Sequence, residues 1–330
     1  MRSSAARAFG LLFFLSGATG LVYELLWVRV LYQTFGSTIQ SVTTVVAAYM
    51  GGLGLGAWLF GRRADRHPRP AALYGVLELA IGIFGLISPL VLELAHRVYL
   101  RIAGTLPLGG GLSLGLRFGL AALVLLVPTT LMGGTLPVLT GAFMGADRGE
   151  LPRSLGRLYG LNTLGAVAGT ALAGFFLIEF VGIRVSLWGT AAVNLALGAG
   201  AVALARTTLP TPPTPSVAAA PPHASNAVPS EPAPRRLRYV ALTLLGLTAF
   251  ASLLDEIAWT RVLVMVVGGS TYAFTLVLLV FLLGIGLGSG VVARRGPGRP
   301  ATAVDAALAQ ESPGRAPRCC SSSSGLSRSS

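Results

Sequence analysis

Three glutamates, Glu24, Glu78 and Glu256, lie inside long apolar stretches of this 330-residue chain. An ionisable side chain at membrane depth is costly, so each is a candidate for binding a substrate or a proton. Glu78 lies in the middle of its apolar run and is the best single candidate for that role. The alternative is that Glu78 is hydrogen-bonded inside the protein and has a structural role.

Glu24 and Glu256 are each followed five residues later by an arginine, Arg29 and Arg261. Five residues turn a helix through about 140°, which places an acid and its nearby arginine on different faces. We therefore predict crossed pairs, Glu24 with Arg261 and Glu256 with Arg29. Such pairs could gate a pathway or hold a proton; the alternative is that these residues anchor helix ends.

Two other features interrupt the apolar sequence. Asn162 can hydrogen-bond between helices, and we favour this structural role over ligand binding. Between Pro128 and Pro137, the pair Gly133 and Gly134 could break a helix and leave irregular backbone lining a cavity. A kink satisfied by the neighbouring threonines is the alternative.

The composition excludes several kinds of chemistry. All 25 basic residues are arginine, so the chain cannot form a Walker A loop, a Schiff base or a lysine general base. The two cysteines, Cys319 and Cys320, are adjacent and provide no disulfide framework or spaced metal site. The net charge of +13 comes from arginines scattered between apolar runs, which argues against nucleic acid as a partner. We expect no catalytic residue, metal or cofactor in this chain.

The same composition indicates a membrane protein, with the lipid bilayer as its main partner. Hydrophobic residues make up 53% of the chain and charged residues 11%, whereas soluble domains carry about a quarter charged residues. A membrane-spanning helix needs roughly 20 apolar residues. Seven segments qualify directly, and an eighth, 112–144, is either one long span or two short ones. The seven are 9–28, 41–60, 71–94, 155–178, 185–205, 239–258 and 272–292.

Arginine distribution decides the topology. With a single span at 112–144, the arginine-rich loops fall on the same side, which is the cytoplasmic side of an inner membrane by the positive-inside rule. We therefore predict an all-α membrane protein with eight spans and both termini in the cytoplasm. The predicted domains are a six-span bundle (1–205), a Pro/Ala-rich linker (206–236), two helices of a second repeat (237–293) and a disordered basic tail (294–330).

The sequence contains an internal repeat, with one copy on each side of the linker. Residues 21–31 and 253–263 share Glu, Trp, Arg, Val and Leu at matching positions, and the glycine-rich run 52–56 returns at 284–288. Parallel repeats of this kind are the plan of the two major facilitator halves. We therefore expect a facilitator-like six-helix bundle plus a partial second repeat. The three G-x-x-x-G arrays, Gly52–Gly56, Gly165–Gly169 and Gly284–Gly288, should serve helix packing.

The loop after the second span resembles the facilitator signature G-x-x-x-D-R-x-G-R. It matches at Gly61, Asp65, Arg66 and Arg69 and departs at Pro68, which replaces a glycine. The resemblance implies a cytoplasmic loop whose Asp and Arg clamp helix ends. A basic loop that merely obeys the positive-inside rule is the alternative.

A broader pattern, carried by 15–24, 128–137 and 159–166, resembles the membrane half of bacterial fused facilitator and spermidine-synthase-like (polyamine aminopropyltransferase-like) proteins. The resemblance covers roughly 10–293. Those proteins carry a cytoplasmic aminopropyltransferase-like domain after their spans. Only 35 residues follow Arg295, too few for that domain, so we expect a truncated or frameshifted product without it.

Four functions follow as hypotheses. The first is a transport- or sensing-related membrane module that has lost its synthase-like domain. The others are a small-solute secondary transporter, a nonfunctional fragment, and a protein similar to spermidine synthase without that activity in this chain. Expected partners are a polyamine or another small solute, a homo-oligomer, or a separate synthase-like domain.

The topology is testable with a reporter. Alkaline phosphatase fused after Arg236 should be inactive, because the positive-inside rule places this arginine-rich segment in the cytoplasm. A fluorescent protein fused at the same position should then fluoresce. Active phosphatase there would contradict the eight-span topology.

Overall fold

The structure is a computed structural model that describes residues 3–35, 38–64, 67–105, 110–143, 151–207, 235–268 and 270–294. Within these ranges the regular secondary structure is helical, as predicted. The helices are α1 (Ser3–Phe35), α2 (Thr38–Ala64), α3 (Pro70–Thr105), α4 (Gly110–Phe143), α5 (Leu151–Leu172), α6 (Ile183–Thr207), α7 (Arg235–Val267) and α8 (Ser270–Arg294). A π-helical segment, Ala173–Val181, follows α5 directly.

Each of these eight helices contains a stretch long and apolar enough to cross a membrane. This confirms the predicted all-helical membrane fold. The ambiguous region holds one such stretch, Gly110–Gly141, and not two short spans. The side of the membrane on which each loop lies stays a prediction.

The predicted break in the fourth span is wrong. Pro128 and Pro137 lie inside α4, which is helical throughout Gly110–Phe143. The hydroxyl of Thr129 donates to the carbonyl of Leu125 at 2.7 Å, one turn earlier in the same helix. Threonines beside the prolines thus bond to backbone carbonyls, in agreement with the alternative interpretation.

Helix α1 is the most enclosed part of the described chain. All seven residues from 22 to 28 are buried, so these two turns of α1 have no face turned to the outside. It packs against α2, α5 and α6, while α2 packs on α4 and α3 packs on both α4 and α6. A helix buried on all sides is normally apolar throughout. Residues 22–28 of α1 depart from this rule at Glu24.

Glycines set the distance between the packed helices, as the sequence predicted for two of the three arrays. A Cβ added to Gly56 of α2 would lie 2.0 Å from the Thr130 carbonyl of α4, and one added to Gly165 of α5 would lie 1.8 Å from the Phe14 carbonyl of α1. Backbones this close tolerate no side chain. At the third array, Gly284 and Gly288, a Cβ would meet no atom within 4 Å, so packing by these two glycines is not seen in the described chain.

The π-helical segment holds α8 against the bundle. Phe175 stacks on Tyr272 of α8 with ring centroids 6.1 Å apart, and the Tyr272 hydroxyl donates to the Glu179 carboxylate. A Cβ on Gly174 would overlap Thr275 of α8, so the two backbones approach closely. This irregular helix was not predicted from the sequence.

Described residues within 3–207 and 253–294 belong to one packed unit. Residues 235–252, the first half of α7, belong to a second unit, within which the Thr248 hydroxyl donates to the Leu244 carbonyl at 2.9 Å. Most of the predicted linker and tail, 208–234 and 295–330, lies outside the described residues. The bounds of the four predicted domains therefore stay predictions.

The glycine packing is testable by single substitutions. Gly56→Ala should destabilise the protein by about 1–3 kcal/mol, because the new methyl group meets the α4 backbone. Gly54→Ala, two residues away with no atom within 4 Å of the added Cβ, should leave stability unchanged or raise it by up to about 1 kcal/mol. Thermal unfolding in detergent, followed by circular dichroism, measures both; equal melting temperatures would contradict the packing.

Candidate functional site

Glu78 is the centre of a hydrogen-bonded cluster that joins three helices. Its side chain, on α3, is completely buried. The Ser16 hydroxyl of α1 donates to Oε1 at 2.5 Å, and the Asn194 side-chain amide of α6 donates to Oε2 at 2.6 Å. Both carboxyl oxygens are therefore partnered within the protein, and this arrangement agrees with the structural alternative for Glu78.

Close contact between α3 and α6 places Asn194 against Glu78. A Cβ on Gly198 would lie 2.7 Å from the Gly75 carbonyl, and one on Gly82 would lie 2.9 Å from the Leu195 side chain. Glu78 lies between Gly75 and Gly82 in the sequence, and Asn194 lies one turn before Gly198. These glycines did not stand out in the sequence because their spacing differs from the G-x-x-x-G pattern.

Glu24 and Glu256 have no comparable partners. Glu24 is 1% exposed, and neither of its carboxyl oxygens has a hydrogen-bond partner. Glu256 on α7 is 5% exposed, and its buried Oε1 likewise has no partner. The two carboxyls lie close enough for their negative charges to repel each other. The structure thus brings together the two acids that occupy matching positions in the repeated sequence.

The predicted crossed ion pairs are wrong. Neither Arg29 nor Arg261 lies within 4.0 Å of a glutamate, in contrast to Arg97, which pairs with Glu93 on the exposed side of α3. The Arg29 guanidinium lies over the Tyr32 ring, 5.3 Å from its centre, and Arg261 is exposed. An arginine at an exposed position avoids the cost of desolvation that a buried ion pair would impose.

Aromatic side chains surround Glu24 in the sequence and in the fold. Tyr23 and Trp27 are fully buried and stacked, with ring centroids 5.2 Å apart. The Tyr23 hydroxyl and the Trp27 indole N–H have no hydrogen-bond partner. Tyr49 of α2 is also buried, close enough to interact electrostatically with Glu24. This motif indicated the internal repeat in the sequence, but its aromatic members were not predicted as site residues.

Tyr23 connects this region with the Glu78 cluster. A Cβ on Gly85 of α3 would lie 2.1 Å from the Tyr23 hydroxyl, so the absence of a side chain at Gly85 makes room for it. Tyr23 also lies close enough to Glu78 to interact with its charge. Two positions of α1 are thus linked to the buried acids: Glu24 itself, and Ser16, eight residues earlier, which donates to Glu78.

The other predicted site residues serve packing or lie at the edge of the bundle. The Asn162 amide donates to the Phe13 carbonyl of α1 at 3.1 Å, which is the favoured structural role. Gly133 and Gly134 of α4 contact α2 closely, at Leu53 and Phe60.

Of the facilitator-like loop, the structure describes only the ends. A Cβ on Gly61 would lie 3.9 Å from Pro137 of α4, and exposed Arg69 donates its backbone N–H to His67 Nδ1 at 3.2 Å. Asp65 and Arg66 lie outside the described residues, so the helix-clamping role stays a prediction. Across the described ranges, no three His, Cys, Asp or Glu side chains are grouped to hold a metal ion.

Comparisons with known proteins give one curated relative. The chain is 29% identical to polyamine aminopropyltransferase 2 of Streptomyces coelicolor over 189 residues, which make up 57% of this chain and 32% of that protein. The chain thus matches about a third of the length of this relative. No protein-family model and no solved structure matches the chain.

The Glu78 cluster is testable by exchanging its two functional groups. Glu78→Gln turns an acceptor into a donor opposite the Asn194 amide, and Asn194→Asp places two carboxyls together. Each single change should cost about 1–3 kcal/mol of stability. The double variant restores one carboxyl and one amide and should regain most of that loss. Thermal unfolding of the four proteins measures this, and additive losses would contradict the hydrogen bond.

Proposed function

We propose that this chain is the membrane module of a polyamine aminopropyltransferase-like protein, and that it transports or senses a small organic cation. One observation carries the proposal: Glu24 and Glu256 are buried with unpartnered oxygens, their charges act on each other, and in the part of the chain that the structure describes neither forms an ion pair with an arginine. The helices that hold them are apolar enough to cross a membrane.

Burial of Glu24 and Glu256 without hydrogen-bond partners lowers the stability of the fold. A buried carboxyl without a hydrogen bond or counter-charge destabilises a fold, and apolar residues in its place would pack at lower cost. Polar groups kept at membrane depth in spite of this cost usually mark a substrate or ion pathway. A pair of carboxyls attracts positive charge, so the solute that this site favours is a cation.

The curated relative supports a choice among cations. Its name assigns it to polyamine chemistry, and this chain shares 29% identity with it over 189 residues. A polyamine carries ammonium groups along an aliphatic chain, which suits carboxyls surrounded by aromatic and aliphatic side chains. The relative's aminopropyl transfer belongs to that whole protein. For the present chain we propose solute recognition without a catalytic step.

A facilitator-like rocking motion of the bundle is part of the transport form of this proposal. The repeated sequence and the Gly61–Arg69 pattern support it. In the sensing form, the same cation would bind without crossing, and the signal would pass to a synthase-like domain or a second copy of the chain.

Uptake by proteoliposomes separates these forms. Liposomes that contain the purified 330-residue chain should accumulate radiolabelled spermidine several-fold above empty liposomes if the protein transports it. Saturable binding without accumulation would support sensing. If the protein shows no uptake and no binding of spermidine, the proposed function is contradicted.

The same preparation tests for catalysis. Supplied with putrescine and decarboxylated S-adenosylmethionine, it should release no methylthioadenosine above empty liposomes. Release at a steady rate would overturn the proposal that recognition, and not aminopropyl transfer, is the function of this chain.

A further inference from the structure

We propose that Glu24 and Glu256 form the binding site for one ammonium group of the solute, between α1 and α7. This inference rests on the proposed function and gives it a location. It assigns recognition to the pair with unpartnered oxygens and leaves Glu78 with a structural role.

The burial of the two carboxyls and their lack of hydrogen-bond partners are the observations that support a ligand here. Both oxygens of Glu24 and Oε1 of Glu256 are buried without a hydrogen-bond donor. Two carboxylates at close range in a medium of low dielectric repel each other strongly. A single ammonium group between them would convert this repulsion into two charge-assisted hydrogen bonds, with donors left for a third partner.

The chain's own cations do not fill this role. Arg29 lies over the Tyr32 ring, Arg261 is exposed, and neither is within 4.0 Å of an acid. Lysine, the side chain that would supply an ammonium group internally, does not occur in the sequence. A ligand cation would supply the positive charge that neither Arg29 nor Arg261 provides.

The surroundings favour an organic ammonium over a metal ion. Calcium takes six to eight oxygen ligands and magnesium about six, whereas the described residues contain no group of three potential metal-binding side chains. The stacked Tyr23 and Trp27 rings flank Glu24 along α1. Aromatic faces attract organic cations, most strongly when the cation is out of water.

Glu78 differs from this pair in a decisive way. Ser16 and Asn194 donate to its two oxygens at 2.5 and 2.6 Å, so a ligand would have to displace internal hydrogen bonds to reach it. Glu24 and Glu256 present no such competition. The site would also join matching positions of the two repeated segments, each of which contributes one carboxyl.

Spermidine binding to the full chain in lipid nanodiscs tests the site. Glu24→Gln and Glu256→Gln should each raise the Kd by about tenfold or more, because each removes one charge-assisted hydrogen bond to the ammonium group. Glu93→Gln is the matched control: its carboxyl is exposed and paired with Arg97, and the Kd should not change. An unchanged Kd in both Glu24→Gln and Glu256→Gln would overturn the site.

The outcome for the unmodified chain separates the two proposals. If it fails to bind spermidine, both the proposed function and this site are wrong. If it binds spermidine and the two variants bind equally well, the function stands and only the site is wrong.

A second measurement uses the unmodified chain and does not depend on the folding of variants. Dicyclohexylcarbodiimide, which modifies carboxyl groups in apolar surroundings, should label Glu24 or Glu256, and saturating spermidine should reduce that labelling several-fold. Mass spectrometry of the digested protein locates the label. Absence of labelling, or labelling that spermidine does not reduce, would overturn the proposal.

Discussion

Hydrocarbon offers no hydrogen bonds, and this constraint explains most of the architecture of the described chain. Each polar group inside an apolar bundle must find its partner within the protein or in a bound molecule. Glu78 does so through Ser16 and Asn194, which tie α1, α3 and α6 together. Hydroxyls of Thr129 and Ser88 bond to backbone carbonyls beside the internal prolines for the same reason.

Such short polar contacts require that helices approach closely, and glycine makes this possible. Gly75, Gly82 and Gly198 bring α3 and α6 together at the level of Glu78 and Asn194. Gly165 and Gly169 do the same for α5 against the carbonyls of α1. Without aqueous solvent to drive association, packing of this kind and interhelical hydrogen bonds are what hold such helices together. The small residues therefore position the chemistry as well as the backbone.

In contrast to Glu78, Glu24 and Glu256 have buried carboxyl oxygens without a hydrogen-bond partner. Residues 22–28 of α1 are enclosed by packing, yet Glu24 among them has no hydrogen-bond donor. Glu256 reaches the same region from α7, where neighbouring Leu253 packs against the apolar core. We interpret the contrast with Glu78 as a difference in role: Glu78 stabilises the bundle, and we propose that Glu24 and Glu256 bind a cation.

The sequence by itself determined the helical class, the number of candidate spans and the three acids, Glu24, Glu78 and Glu256, that lie inside apolar helices. Span length and hydropathy are local properties, so they can be read without knowledge of neighbours. The G-x-x-x-G arrays at Gly52 and Gly165 were identified correctly for the same reason. Only the tertiary structure decided which acid has hydrogen-bond partners, and that Arg29 and Arg261 form no ion pair with the acids. It also decided that a Cβ on Gly284 or Gly288 would meet no atom of the described chain within 4 Å. These outcomes depend on how helices distant in sequence rotate and pack against one another, and helical periodicity along one segment does not fix that rotation.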